Sequence, residues 1–157
     1  VKPDIHPATE ADILALAPVM RAPDALEARR AAGLSPEGAL RESVEASKGR
    51  AWAAWFDGQP ACMFGLAQPS MLLDAGIPWL LTGPAVEKHP KAFFREARRA
   101  VERWGRLFPV LFQLVDVEHV GAQRFLGALG FEFEAPVPHG PEGALFIPAI
   151  RRSFVHV

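Results

Sequence analysis

Tyrosine is missing from all 157 residues, cysteine occurs once, and neither sign of charge prevails, since 17 Lys and Arg stand against 18 Asp and Glu. A lone Cys62 excludes an intrachain disulfide and any thiol-based metal site, and is most simply a core residue in its apolar run. Near-balanced charge speaks against a nucleic-acid binder that neutralises many phosphates. With half the residues hydrophobic and 22% charged, the chain is also no disordered tail. No apolar run approaches the roughly 18 residues of a membrane span, and Val1 to Pro7 carries neither an apolar signal region nor a basic leader. A soluble protein is expected, with no membrane or nucleic-acid partner. His6, His89, His119, His139 and His156 show no i, i+4 pair and no zinc-type spacing, so no metal is expected. Ser70 and Ser153 lack a nucleophile-elbow context, and no phosphate-binding glycine loop occurs.

What is present fits one domain over residues 1–157. Asp4 to Pro7 suits a short edge strand. Thr9 is an N-cap, with Glu10 and Asp12 in the first turn of a helix that ends or kinks near Pro18. Ser35-Pro36-Glu37 opens a second helix through about Ser47. Arg50–Phe56 and Ala61–Ala67 flank Asp57-Gly58 as an antiparallel hairpin. The opposite parity of Trp52 and Trp55 sends them to opposite faces, with one of them open to exposure at the surface. Gly76 to Val86 holds another strand. From Pro90 to about Leu107 a long helix sets Phe94, Ala97, Val101, Trp104 and Phe108 on one stripe and mostly charge on the other side. Pro109 stops it, and Val110–Val115 is a buried strand. Val120–Leu129 is a helix capped by Gly130, and Phe131–Phe133 a strand. A turn at His139–Gly143 leads to a last strand over Ala144–Ile150.

This order of elements, with Ala122-Gln123-Arg124-Phe125-Leu126-Gly127-Ala128-Leu129-Gly130-Phe131 ending a helix in Gly-Phe, resembles the acyl-CoA N-acyltransferase superfamily known as GNAT. A closer resemblance, to a GNAT-like family encoded among the morphogenesis genes of tailed bacteriophages, rests on several short stretches in order. They are Met20-Arg21 with Asp24 and Glu27, Gly33-Leu34-Ser35-Pro36, Trp79-Leu80-Leu81-Thr82, Lys88-His89-Pro90 and Leu129-Gly130-Phe131. Departures from that family's pattern fall at His119, where an Asn-type residue is common, and at Phe125-Leu126, where Trp-Leu is.

The resemblance implies an α+β fold, a mixed, mostly antiparallel sheet with helices on both faces. It also implies two functions. One is a catalytically degenerate protein of virion assembly, in the host bacterial cytoplasm or the virion, whose partners are other phage structural proteins or its own copies and which requires no cofactor. The other is an acetyl-CoA-dependent N-acyltransferase acting on an unknown amine.

GNAT enzymes cradle the CoA pyrophosphate on a glycine-rich turn before the long helix, because glycine lets the backbone approach and the helix dipole favours anions. Here that stretch is Lys88-His89-Pro90-Lys91-Ala92-Phe93, without glycine. Cofactor contacts would fall on Val86, Lys88, Lys91 and Arg95, unless the lysines merely solvate the helix start. The position of the family's acidic tyrosine falls on Leu126. A general base is sought at Glu87, Asp116 or Glu118, or at His119, which is otherwise a helix cap. Arg21, Asp24 and Glu27 recur every three residues, as a ladder that binds a polar acceptor or a partner, or as a staple within the fold.

Overall fold

The computed structural model describes residues 2–153; His156 and Val1 lie outside them. Among the described residues eight strands form one sheet in the order β1-β2-β3-β4-β5-β8-β6, with β7 also on β8. They are β1 (Asp4–Pro7), β2 (Ala51–Phe56), β3 (Gln59–Ala67), β4 (Ala75–Thr82), β5 (Val110–Asp116), β6 (Glu132–Phe133), β7 (Val137–His139) and β8 (Ala144–Arg152). The α-helices described with them are α1 (Glu10–Leu16), α2 (Ala22–Ala32), α3 (Pro36–Ser47), α4 (Pro90–Leu107) and α5 (Val120–Ala128). Every strand pairing is antiparallel except that of β4 with β5. This is the α+β class expected.

Local chemistry explains most elements. Thr9 and Asp12 form a reciprocal capping box at α1, the Asp12 carboxylate accepting from the Thr9 N–H at 2.8 Å. Pro18 ends α1 in a 3-10 turn over Ala17–Val19. Ser35 accepts from the Gly38 N–H at 3.1 Å and caps α3. Asp57 and Gly58 both take positive φ, as a primed two-residue hairpin turn requires. On one face, α1 and α3 cover Ala53 and Met63 with Ile13, Leu16 and Leu40. On the other, α4 lays Ala100, Val101 and Trp104, with its C-cap Phe108, over Leu66, Leu111 and Ala149.

Three sequence expectations are amended. A helix, α2, occupies the connection between the first two expected helices; Pro23 lies in its first turn and Gly33 closes it in the left-handed conformation. The strand expected within Gly76 to Val86 forms as β4 and ends at Thr82, after which Pro84–Glu87 is a 3-10 turn. A short strand, β7, precedes the turn at residues 140–143. Trp52 packs against the α4 cluster and Trp55 against the α1/α3 cluster, so they do take opposite faces, but both are half-buried and neither is exposed.

The feature that shapes the site is the meeting of β4 and β5. Only Ala75 with Val110 and Gly76 with Leu111 are paired. In a strand the N–H and C=O of one residue point the same way, and the Pro78 carbonyl accepts from Gln113 Nε2 across the gap at 2.6 Å. The N–H that proline lacks therefore falls on the β5 side, and the ladder stops there. Beyond Gln113 the two strands splay.

Candidate active site

The splay opens into a cleft of about 720 Å³ that reaches both faces of the sheet. On the α4/α5 side it is walled by Phe64, Leu80, Phe93, Phe125 and Leu126. Phe93 and Phe125 stack there with ring centroids 5.3 Å apart. On the α2/α3 side it continues between those helices, past Trp79 and Leu81 of β4 and Phe112 and Leu114 of β5.

Where the strand ends diverge, a polar cluster ties α2 to both of them. Asp24 is buried, and its Oδ2 accepts from the Thr82 N–H at 2.8 Å and from the Thr82 hydroxyl. Its Oδ1 meets His119 Nε2 at 2.7 Å. His119 in turn caps α5, its Nδ1 accepting from the Ala122 N–H at 3.2 Å. The bond to Asp24 raises the His119 pKa, against the cost of burial. Protonating Nδ1, however, would set it against the Ala122 N–H, so the geometry holds the neutral Nε2–H tautomer. Both ring nitrogens are committed, which leaves His119 as a positioning residue rather than a proton carrier.

Glu27, one turn after Asp24, lines the cleft. Its Oε2 accepts from the Asp116 N–H at 2.9 Å, while Oε1 has no hydrogen bond among the described residues. Burial pushes its pKa up to about 7, the Asp116 N–H only partly countering, with the charges of Asp24 and Asp116 adding to the rise. A carboxyl that titrates near neutrality at the edge of an apolar cleft has the property a general base needs.

The other expected bases lie elsewhere. Asp116 is buried, but Arg30 Nε donates to its Oδ2 at 2.6 Å and the Glu118 N–H to its Oδ1 at 3.0 Å, so it anchors α2 to the end of β5. Glu118 is exposed beside Arg30, and exposed Glu87 pairs with Arg21 Nε at 2.9 Å. None of the three lines the cleft. Arg21 does line it, and its N–H also donates to the Thr82 carbonyl at 2.8 Å. The Arg21, Asp24, Glu27 ladder is thus divided: the first two staple α2 to β4, and the third faces the cavity. Cys62 borders the cleft from the core, where burial, with the charge of Asp24, pushes its thiol up to about 12 and leaves it unreactive.

A pantetheine arm suits the splay. By the alternation that places Pro78, the N–H and C=O of Leu80 face the gap and offer an extended amide a strand-like partner. The pyrophosphate end is different. Val86 has its side chain in the core and its N–H on the Gly83 carbonyl at 3.4 Å, so the expected contact there is withdrawn. His89 precedes α4 without a side-chain cap, its ring bonded to Asp57 at 3.0 Å, and Pro90 brings no N–H. Lys88, Lys91 and Arg95 are exposed around this helix start and supply the charge available to a phosphate. The hydroxyl of the family's tyrosine has no counterpart at Leu126, which presents only hydrocarbon to the cleft.

No protein-family model and no curated protein matches the sequence. Solved structures match it closely in shape. A GCN5-related N-acetyltransferase from Kribbella flavida superimposes with a TM-score of 0.69 at 16% identity, over 96% of this chain and 98% of its own. yncA from Salmonella typhimurium, solved with its cofactor acetyl-CoA, gives 0.72 at 15% identity, over 100% and 97%. AAC(6')-Ib, solved with ribostamycin and coenzyme A, gives 0.70 at 15% identity, over 97% and 94%. The chain therefore has the GNAT fold. None of these three is named as a phage protein.

Proposed function

We propose that the protein is an N-acyltransferase, moving an acyl group from a pantetheine thioester, acetyl-CoA being the simplest, to a primary amine, with Glu27 as general base. The observation that carries this reading is the Glu27 carboxyl, half-charged near pH 7, set in a cleft that passes through the splayed strands. The donor, when bound, supplies a thioester carbonyl open to attack by an uncharged amine: the C–N bond forms, the C–S bond breaks, and the sulfur leaves as thiol with the amine's second proton. Glu27 Oε1 takes the ammonium proton that would otherwise block attack, while Asp116 holds Oε2 from behind. Asp24, Thr82 and His119 fix the distance between α2 and the strand ends, so that the base stays at the cleft. Binding both substrates side by side supplies much of the acceleration, which lets transfer proceed without a tyrosine acid. The solved GNAT structures that hold acetyl-CoA or coenzyme A support this reading. The assembly role implied by the phage resemblance has no comparable support.

The test is acetyl-CoA consumption with an amine acceptor, comparing wild type with E27Q. Gln keeps the acceptor for the Asp116 N–H but takes no proton. A loss in kcat of about 100-fold or more is expected, as for removal of a general base, and wild-type kcat/KM should rise with pH and level off above about 7. An E27Q enzyme with unchanged kcat would remove Glu27 from the chemistry.

A further inference from the structure

The α2/α3 side of the cleft is built unlike a site for a polar acceptor. Helix α2 turns Asp24, Glu27, Ala28 and Ala31 toward it, so beyond the two carboxylates its wall is methyl groups. Trp79, Leu81, Phe112 and Leu114 form the floor, and Phe146 with His139 the far end. That end is fixed. Gly140 has φ +84°, and a Cβ on it would lie 2.1 Å from the Arg30 carbonyl, so the turn after β7 sits directly on the end of α2. The charged groups on this side are few. Asp24 is committed to Thr82 and His119, Arg21 to Glu87, and Glu42 stands at the exposed rim of α3. Glu27 lines the cavity, and among the described residues its Oε1 has no hydrogen-bond partner.

Resting on the acyltransferase reading, we infer that the acceptor is a small hydrophobic amine, one ammonium group on an aryl or branched-alkyl body. The ammonium meets Glu27, and the body lies against Ala28, Ala31, Trp79 and Phe112. A polycation or an aminoglycoside would need further carboxylates deep in the pocket, and the wall offers methyl and aromatic surface in their place. Binding energy then comes from apolar burial, which for a phenyl ring separates substrates by about 100-fold.

The experiment measures binding by ligand-observed NMR and turnover with acetyl-CoA for 2-phenylethylamine, ethanolamine and spermidine. The expected result is that 2-phenylethylamine binds, with kcat/KM about 100-fold above that for ethanolamine. Filling the pocket with A28L or, separately, A31F is expected to abolish 2-phenylethylamine binding. Circular dichroism identifies a variant that has failed to fold, and the other then decides. If 2-phenylethylamine does not bind, or if ethanolamine or spermidine is acetylated as efficiently, the inference is overturned. Binding that A28L or A31F abolishes, without turnover of any amine, upholds the pocket and defeats the acyltransferase reading instead.

Discussion

At the scale of single residues, the carboxylates divide by what surrounds them. Asp12 is buried, yet its pKa is lowered: the penalty of burial is outweighed by hydrogen bonds from His6, Trp55 and Thr9. Glu27 has one backbone donor against its own burial and goes the other way. The sign of its effect on stability follows. An unfolded glutamate titrates at 4.5 and the native one at about 7, so between these values the folded chain holds a proton that the unfolded chain has released. The stability associated with this proton is complete below pH 4.5 and is lost as pH rises through about 7. E27Q has no such dependence. Chemical denaturation should find E27Q and wild type similar near pH 4.5, with the variant more stable by about 3 kcal/mol at pH 8. A constant difference across that range would refute the burial argument. On the acyltransferase reading, a base that weakens the fold at its working pH is one form of the trade between activity and stability.

At the scale of elements, the sequence was clearest where a signal was local. The Thr9 and Ser35 caps, the Asp57-Gly58 turn and the stripe on α4 each depend on residues within a few positions of one another, and each element formed where it was read. Helix α2 escaped because its sheet-facing side is Asp24, Glu27, Ala28 and Ala31, which gives no apolar stripe; tertiary bonds to Thr82, Asp116 and His119 define that face. Glu27 was visible as part of a charged ladder, but its place in the cleft was not, since it is set against the end of β5, some 90 residues away in sequence. Close packing between neighbouring strands was equally hidden. On β3, a Cβ at Gly65 would lie 2.6 Å from the Arg50 carbonyl and 2.7 Å from Trp79 Nε1, which donates to Ser47 Oγ at 2.7 Å. Backbone cannot yield there and the indole is held by its bond, so G65A should destabilise by about 1–3 kcal/mol. Thermal unfolding checks this, and a wild-type melting temperature would show that Trp79 is free to move.

At the scale of the whole molecule, the sheet is two antiparallel halves joined by little. Two paired positions and the Gln113 to Pro78 bond link β4 to β5, and the Asp24, Thr82, His119 cluster joins them again through α2. A ligand arm lying in the splay touches both halves and binds only when they are assembled, so it must stabilise the native state. At a free concentration of 100 times its Kd the gain is about 2.7 kcal/mol, or a rise in Tm of roughly 5–10 °C for a chain of this size. Acetyl-CoA should produce such a rise. Because α4 opens on Pro90 where a glycine cradle would stand, most of the binding should come from the arm rather than the pyrophosphate. S-acetylpantetheine at the same concentration is therefore expected to give most of the shift seen with acetyl-CoA. A much larger shift with acetyl-CoA, lost in a K88A/K91A double variant, would mean that these lysines hold the phosphates after all. No shift from either compound at millimolar concentration would mean that the splay, though open, does not receive a thioester arm, and the acyltransferase reading would fall with it.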